Sequence, residues 1–225
     1  MFRSLYAGLV VIAGSMTGCI VPNREGSAIM SANEHSKTRM LAEFEGDSPR
    51  FDDLSGEWRI VNDNIMGGRS LGGGKIQNGV MVFRGSTNTN GGGFASIRAS
   101  DKQWDLTGFD GLGARVRADG RRYVFHVFTG LSYDNGNVFY RGEFKTKPLI
   151  NTEGDPLETP EAWQEVFVAF SDFVPMVRGR AITGRVEPLD PAKIEGIGLM
   201  IDDGLDGPFR LEADWIHAQV LPASG

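Results

Sequence analysis

The sequence FRLEADW at residues 209–215 decides the fold class of this chain. Its four apolar residues alternate one for one with three charged residues, so a strand here would have one apolar face and one charged face. The sequence LGARVRA at residues 112–118 repeats this alternation, with glycine and arginine on the polar side. Both patterns predict strands of antiparallel sheets that bury one face against a core.

The same period of two recurs along residues 44–220. Residues 123–128 (YVFHVF) and 166–170 (VFVAF) are apolar on both faces, as expected in the middle of a sandwich. Turn dipeptides such as Asn78-Gly79 separate the strands. Further strands are predicted at residues 57–61, 75–83, 94–99, 138–145 and 194–201. About nine or ten strands without a convincing helix predict an all-β fold, a jelly-roll β-sandwich.

Composition and charge limit the functional classes. The 225 residues are 40% apolar and include 31 glycines, which suits one core of ordinary size built from short elements joined by tight turns. The formal net charge is −6 at pH 7. A chain with this charge has no basic field to hold a phosphate backbone, so nucleic acid is excluded as a partner.

The N-terminus has the pattern of a targeting segment. Arg3 precedes the apolar residues 5–16, a stretch shorter than the roughly 20 residues that span a bilayer. Two small residues come directly before Cys19, the only cysteine, and this resembles the lipobox of bacterial lipoproteins. We therefore expect residues 1–18 to be a signal peptide and the protein to be exported, with its lipidated Cys19 as the only membrane anchor, at the cell envelope. A plain secretory signal with an incidental cysteine is the alternative.

The segment after the cysteine predicts a tether. Residues 19–43 show no sustained period and are rich in serine, asparagine and charge, which is typical of a flexible linker. We expect the single folded domain to cover residues 44–221. With no second cysteine, this domain has neither an intramolecular disulfide nor a catalytic thiol.

Five segments along the predicted domain form a recognisable series. They are WRIVNDNIMGGRS (58–70), GGGFASIRA (91–99), RVRADGRRY (115–123), WQEVFVAFSDFVPMVRGR (163–180) and IEGIGLMIDDGLDGPFRLEADWI (194–216). In this order they resemble the complex I intermediate-associated protein 30 family, and the segment at 62–68 is the most specific piece. The resemblance implies a galactose-binding-like jelly roll, similar to family 11 carbohydrate-binding modules.

The resemblance also implies a function. Mitochondrial members of the family assist assembly of respiratory complex I as chaperone-like factors, so we expect a binding domain without enzymatic activity or cofactor that contacts a protein partner. That partner would be a respiratory-complex protein or an envelope protein. The alternative is a carbohydrate-binding lipoprotein with a glycan ligand.

The candidate binding residues form two groups. The first is a loop with amide, carboxylate and glycine groups: Asn62, Asp63, Asn64, Met66, Gly67 and Gly68. These groups either contact a ligand at the edge of the sandwich or hydrogen-bond the nearby backbone of a tight turn. The second group is expected to point outward from a sheet face: Arg98, Arg117, Asp119, Tyr123 and Asp202. These residues either contact sugar or form surface pairs worth under about 1 kcal/mol.

One short motif suggests catalysis but lacks the context that the chemistry needs. Residues 68–72 (GRSLG) match the Gly-x-Ser-x-Gly pattern of a hydrolase nucleophile. That serine must stand on a turn from a strand into a helix, whereas Ser70 is followed by three glycines at 72–74. No catalytic residue is therefore predicted.

No metal site is predicted either. The three histidines have no zinc-ligand spacing, and hydrogen-bonded strand histidines are the expectation for His126 and His217. The acidic turn at residues 202–207 has alanine where a helix-loop-helix calcium site needs its twelfth-position glutamate. A structural calcium ion at this turn stays an open alternative.

Overall fold

A computed structural model describes residues 37–46, 58–99, 102–147 and 163–221. These ranges contain thirteen strands. They are β1 (Thr38–Glu43), β2 (Trp58–Asn62), β3 (Leu71–Gln77), β4 (Val80–Thr87), β5 (Ala95–Ala99), β6 (Gly111–Ala118), β7 (Arg122–Tyr133), β8 (Gly136–Lys145), β9 (Gln164–Ala169), β10 (Val174–Val177), β11 (Arg180–Ala181), β12 (Gly196–Ile201) and β13 (Gly207–Gln219). Short 3-10 turns lie at Asp63–Met66, Phe170–Asp172 and Pro191–Lys193. No helix in the described ranges is long and apolar enough to cross a membrane.

The strands form two sheets. Sheet A has the order β3-β4-β13-β6-β9, and β1 also pairs with β13. Sheet B has the order β11-β10-β8-β7-β12-β5-β2. The strand pairs of both sheets are antiparallel, and many neighbours are distant in sequence. The prediction of an all-β, galactose-binding-like jelly-roll sandwich is confirmed.

Aromatic side chains from both sheets fill the space between them. The ring centroids of Phe83 and Phe209 lie 4.9 Å apart within sheet A. Those of Phe125 and Phe144 lie 4.8 Å apart within sheet B. All four rings are buried, and tilted pairs at such distances add to the stability that their apolar area supplies.

The predicted alternation of residues 209–215 holds only to Ala213. The register of β13 against β6 shifts between Ala213 and Trp215, so Asp214 forms a β-bulge. Beyond it Ile216 and Ala218 are buried while Trp215 is half-buried, because one extra residue moves every later side chain to the other face. The bulge lies where the neighbour of β13 on one side changes from β4 to β1.

Two predicted boundaries differ from the structure. The single strand expected at residues 75–83 is a hairpin of β3 and β4, since Asn78 and Gly79 both have positive φ angles and form the tight turn between them. The linker expected at residues 19–43 is wrong for Thr38–Glu43, which forms β1 and pairs with β13. This strand buries only Leu41 and is too short to show a period in the sequence. Residues 19–36 of the predicted linker lie outside the described residues.

One of the two strands predicted for the middle of the sandwich lies elsewhere in its sheet. Residues 123–128 lie in β7, between β8 and β12 in sheet B, as their two apolar faces predict. Residues 166–169 instead lie in β9 at the end of the strand order of sheet A. Apolar side chains on both faces therefore do not by themselves place a strand in the middle of a sheet.

Arg121 joins three chain segments at one end of the sandwich. Its Nε and Nη2 atoms donate to the two carboxylate oxygens of Asp203 at 2.9 and 2.6 Å. The same guanidinium donates to Thr87 Oγ1 at 2.9 Å and to the Leu205 carbonyl oxygen at 2.7 Å. The two charged side chains are only 12% and 4% exposed. This buried fork ties the β6–β7 turn to the end of β4 and to the turn before β13.

We predict that Arg121→Lys destabilises the fold by about 3 kcal/mol, because lysine cannot reproduce the fork and leaves the Asp203 carboxylate poorly paired. Urea unfolding followed by circular dichroism measures the loss. Arg84→Lys is the matched control, since Arg84 is exposed on β4 and the change there should leave the unfolding midpoint where it is. Equal midpoints for the two variants would contradict the role given to Arg121.

Candidate functional site

The loop from β2 to β3 is built around the buried carboxylate of Asp63. This carboxylate accepts hydrogen bonds from the Ser70 backbone N–H at 2.8 Å and the Ser70 hydroxyl at 2.6 Å. It also accepts from the backbone N–H groups of Gly93 at 2.6 Å and Phe94 at 3.3 Å. Burial acts to raise the pKa of Asp63, but these hydrogen bonds outweigh it and hold the pKa below its ordinary value. Asp63 thus joins the β2–β3 loop to the β4–β5 loop.

Glycines permit this close approach. A Cβ atom at Gly68 would lie 2.2 Å from the Asp63 carboxyl carbon, and one at Gly92 would lie 2.4 Å from a carboxyl oxygen. Gly67 has a φ of 88° and ends the 3-10 turn, donating its N–H to the Asn64 carbonyl. Predicted loop residues Gly67 and Gly68 therefore shape the loop around Asp63.

The side chain of Asn62 also has a partner within the fold. Its amide oxygen accepts from the Gly72 N–H at 3.2 Å, and its amide nitrogen donates to the Gly72 carbonyl at 3.2 Å. This reciprocal pair fixes the start of β3 against the end of β2. Among the predicted loop residues, Asn64 and Met66 are the ones whose side chains are exposed.

We define the rim as residues 63–71, 88–94 and 203–207, three connections at one end of the sandwich. The third is joined to the second because the Thr89 N–H donates to an Asp206 carboxylate oxygen at 2.7 Å. Four of the seven exposed large hydrophobic side chains in the described ranges lie on the rim. They are Ile65 (71% exposed), Met66 (62%), Leu71 (70%) and Leu205 (59%). The sequence pattern does not predict this exposure, because tight glycine-rich turns carry no period from which a face could be assigned.

The second group of candidates does not form one site. The outward orientation predicted for Tyr123 is wrong: the ring is buried in the core, and its hydroxyl donates to the Asp119 carboxylate at 3.0 Å. Burial, together with the Asp119 charge, raises the pKa of Tyr123 well above its ordinary value. Asp119 also accepts from the Arg210 N–H at 2.7 Å, so both residues hold the β6–β7 turn against β13.

The other three candidates of this group lie on the outer faces of different sheets. On sheet A, Arg117 donates to Glu212 at 2.6 Å and lies over the Trp163 ring, 4.7 Å from its centroid. Asp202, directly after β12 of sheet B, accepts from Arg141 at 2.8 Å. Arg98, also on sheet B, has no carboxylate partner among the described residues. The structure therefore separates the residues that the sequence grouped together.

The histidines differ from each other. The His217 Nε2 atom lies 2.6 Å from the Gln219 amide oxygen, so the expected hydrogen bond is present. The same expectation is not met for His126, whose two ring nitrogens are buried and have no hydrogen-bond partner among the described residues. Its neighbours on the sheet face are the rings of Phe128 and Phe139, whose π faces are only weak acceptors for an N–H group.

Ser70 and the acidic turn are both engaged in the fold. Ser70 is buried, and its hydroxyl donates to the Asp63 carboxylate and accepts from the Asn88 N–H at 2.9 Å. Asp203 pairs with Arg121 and Asp206 with the Thr89 N–H, so these carboxylates hold protein groups. Within the described part of the chain, no group of three or more histidine, cysteine, aspartate or glutamate side chains is placed to hold a metal ion.

Comparison with known proteins identifies relatives of the chain. The family model described as complex I intermediate-associated protein 30 matches residues 43–213. The probable complex I intermediate-associated protein 30, mitochondrial, of Caenorhabditis elegans is 31% identical over 156 residues, which cover 61% of this chain and 42% of that protein. The complex I intermediate-associated protein 30, mitochondrial, of Mus musculus is 33% identical over 121 residues, which cover 53% of this chain and 33% of that protein. In both cases the chain spans less than two thirds of the relative's length.

Solved structures show the same fold. The family 11 carbohydrate-binding module of the cellulase Lic26A-Cel5E of Clostridium thermocellum superposes with a TM-score of 0.54 over 82% of this chain and 95% of that one. The agarase AgWH50C superposes with a TM-score of 0.51 over 84% of this chain and 25% of that one. Sequence identities of 15% and 14% limit both likenesses to the fold.

The relatives overturn the predicted location. They are mitochondrial proteins named for complex I, so the prediction of an exported protein lipid-anchored at the cell envelope is wrong. That prediction depended on one short segment, residues 1–19. An apolar stretch after an arginine indicates that a segment is a targeting signal, but it does not specify the compartment to which the protein is sent. Cys19, with the rest of residues 1–36, lies outside the described residues.

We predict that Asp63→Asn destabilises the fold by about 2 kcal/mol at pH 7, because an amide nitrogen replaces one acceptor oxygen facing backbone N–H groups. Since the pKa of Asp63 is lowered by folding, its carboxylate stabilises the fold above the unfolded pKa of about 3.9, and this contribution is lost as the pH falls through the folded pKa. Urea unfolding at pH 7 and pH 3 should show the difference between wild type and variant shrinking in acid.

The exposed Asp134 provides the control for this measurement, because Asp134→Asn changes the same groups on a surface turn. Its unfolding free energy should stay close to that of the wild type at both pH values. A gap between wild type and Asp63→Asn that does not change with pH would contradict the assignment of an ionised, hydrogen-bonded Asp63.

Proposed function

The chain belongs to the complex I intermediate-associated protein 30 family, and from this membership we propose that it is a non-enzymatic assembly factor that binds protein subunits of respiratory complex I. The names of its relatives support this role, and the match to the family model covers most of the described sandwich. The relatives are mitochondrial by name, and the proposed role requires this chain to reach the same assembling complex.

The observation that carries the proposal is the apolar rim. Ile65 and Met66 in the β2–β3 loop and Leu71 at the start of β3 are each exposed by more than 60%, and Leu205 is exposed on the turn before β13. Apolar side chains that cluster on a water-exposed protein surface are typical of sites that contact other proteins. A partly assembled complex still has uncovered apolar surface, which such side chains can cover until the next subunit binds.

The construction of the loop favours binding without reorganisation. Asp63 fixes both ends of the segment that carries Ile65 and Met66, and Asn62 fixes the strand that begins with Leu71. A surface held in its binding conformation loses less conformational entropy when a partner docks. We propose that Asn64 and Met66 contact the partner directly, whereas Asn62, Asp63, Gly67 and Gly68 position the loop.

A pull-down of complex I subunits tests the proposal. The variant Ile65→Ser/Met66→Ser/Leu71→Ser removes the apolar contacts and leaves the Asp63 framework in place. Affinity-tagged wild-type protein is mixed with detergent-solubilised respiratory membranes, and captured complex I subunits are quantified by mass spectrometry. We expect the triple variant to capture roughly tenfold less, the loss typical of removing the main apolar anchors of an interface.

The control variant Val174→Ser/Leu221→Ser changes exposed apolar side chains outside the rim, and its capture should equal that of the wild type. Equal capture by the triple variant and the wild type would exclude the rim as the binding surface. If the wild type captures no complex I subunit and binds a glycan array instead, the carbohydrate-binding alternative replaces the assembly role.

A further inference from the structure

The outer face of sheet B carries a row of charged and polar residues. Five neighbouring strands contribute one residue each, and strand register gives their order: Arg59, Arg98, Gly198, His126 and Arg141. Residues next to them in sequence, such as Phe125 and Ile97, point into the core, so this row lies on the face away from it.

Two cations of this row stand side by side. Arg59 and Arg98 are directly opposite across β2 and β5, and among the described residues neither forms a salt bridge. Arg98 donates from Nε to the Ser96 hydroxyl at 2.9 Å and lies over the Phe128 ring, 5.4 Å from its centroid. Burial and the charge of Arg59 lower the pKa of Arg98 to about 10. Like charges opposite each other destabilise a sheet, so a bound anion would relieve this repulsion.

Arg141, further along the row, differs from Arg59 and Arg98 because it pairs with carboxylates. Its guanidinium donates to Asp202 at 2.8 Å and to Glu143 at 2.9 Å, so its charge is already balanced. The uncompensated charge is therefore concentrated at the end of the row formed by Arg59 and Arg98. In a chain whose formal net charge is −6, this is a local positive field.

His126 adds an unused hydrogen-bonding group beside these arginines. Its side chain is 1% exposed, and both ring nitrogens lack a partner in the described part of the chain. Burial, and then the charge of Arg98, lower its pKa well below the ordinary value, so the ring is neutral and keeps one N–H donor. Buried polar groups are almost always satisfied, and an unsatisfied one calls for an explanation such as a ligand.

Gly198 lies between Arg98 and His126 in this row. A Cβ atom at Gly198 would lie 2.5 Å from the Ile97 carbonyl oxygen and 3.2 Å from the Arg98 Cγ atom, so atoms of β5 already fill this position. Because no side chain stands between them, Arg98 and His126 are neighbouring side chains along the row.

A cleft of about 380 Å³ adjoins this row, since its lining includes Arg59 and also Phe128, the ring that Arg98 covers. This volume lies in the range of small-molecule sites. Its wall also includes Lys102, Leu131, Asn137 and Glu195. The cleft thus combines a cationic end with an apolar ring, and Glu195 places one anionic group on the wall.

We propose that the outer face of sheet B binds a small organic anion, whose carboxylate or phosphate oxygens pair with Arg59 and Arg98 and whose carbon body lies in the cleft against Phe128. Planar guanidinium groups suit both kinds of oxyanion because they donate two parallel hydrogen bonds. The N–H of His126, next to Arg98 along the row, is the third donor of this site. The site goes beyond the proposed protein contact, since it uses none of the rim residues.

Titration of the full chain with citrate and, separately, with inorganic phosphate tests this site. Isothermal titration calorimetry should show saturable binding of at least one, and the side-chain NMR signals of His126 should shift with the same affinity. We expect Arg59→Gln and Arg98→Gln each to weaken binding by roughly tenfold or more, as expected for loss of a charge-assisted pair. The exposed Arg84 on sheet A gives the control, because Arg84→Gln should bind as the wild type does.

The two probes also distinguish the sources of the oxyanion, since binding of citrate alone indicates a carboxylate ligand and binding of phosphate alone a phosphate ligand. The proposal is overturned if neither probe binds saturably at concentrations up to about 10 mM. A dissociation constant above this value corresponds to a binding free energy of less than about 3 kcal/mol in magnitude. Unchanged affinity in Arg59→Gln, which replaces an exposed side chain and should keep the fold, overturns it as well.

His126→Phe separates a binding role from a structural one. Phenylalanine keeps the ring between Phe128 and Phe139 but removes both unpartnered nitrogens, so the melting temperature should rise while anion affinity falls. A lower melting temperature with unchanged affinity would instead make His126 a packing residue, and its part in the site would be withdrawn.

Discussion

The buried ion pair between Arg121 and Asp203 holds one end of this sandwich together. The guanidinium reaches the end of β4 and the turn before β13, so strands from the middle of sheet A are fixed to the chain as it passes into sheet B. Both residues of the pair also hydrogen-bond the backbone of Leu205, whose side chain is exposed. An apolar core alone would bring the sheets together, but it would not set the path of these turns.

A second buried carboxylate, that of Asp63, stabilises the β2–β3 loop in a similar way. Asp63 binds backbone N–H groups where Asp203 binds a guanidinium, and both carboxylates have pKa values held below the ordinary range against the effect of burial. Polar groups of this kind are costly to bury, so they contribute only when every oxygen is satisfied. The exposed apolar side chains of the rim lie at the same end of the fold as these two hydrogen-bond networks. Polar contacts therefore hold the backbone that carries them.

Periodicity predicts the strands well because it depends on neighbouring residues alone. The alternation at residues 112–118 gives the burial of β6 directly, whereas that of β13 fails at Asp214, since a bulge depends on which strands lie alongside. Tyr123 has a polar end that the pattern assigns to solvent, but its partner Asp119 lies across a turn inside the fold. The missing partner of His126 has the same cause: hydrogen bonding is decided by strands distant in sequence. Five ordered motifs predict the family, and one short N-terminal segment does not predict the location.

The late switch of neighbours along β13 has a consequence for how the fold can be shortened. β1 covers the edge of β13 from Trp215 to Gln219, after β4 has ended its pairing at Ala213. The family match starts at residue 43, so a fragment that begins there and keeps the whole of β13 would lack most of β1. The backbone N–H and C=O groups on that side of β13 would then be open to strands of other molecules, and free edges of this kind lead to aggregation. By pairing with this edge of β13, β1 therefore prevents it from pairing with a second copy of the chain.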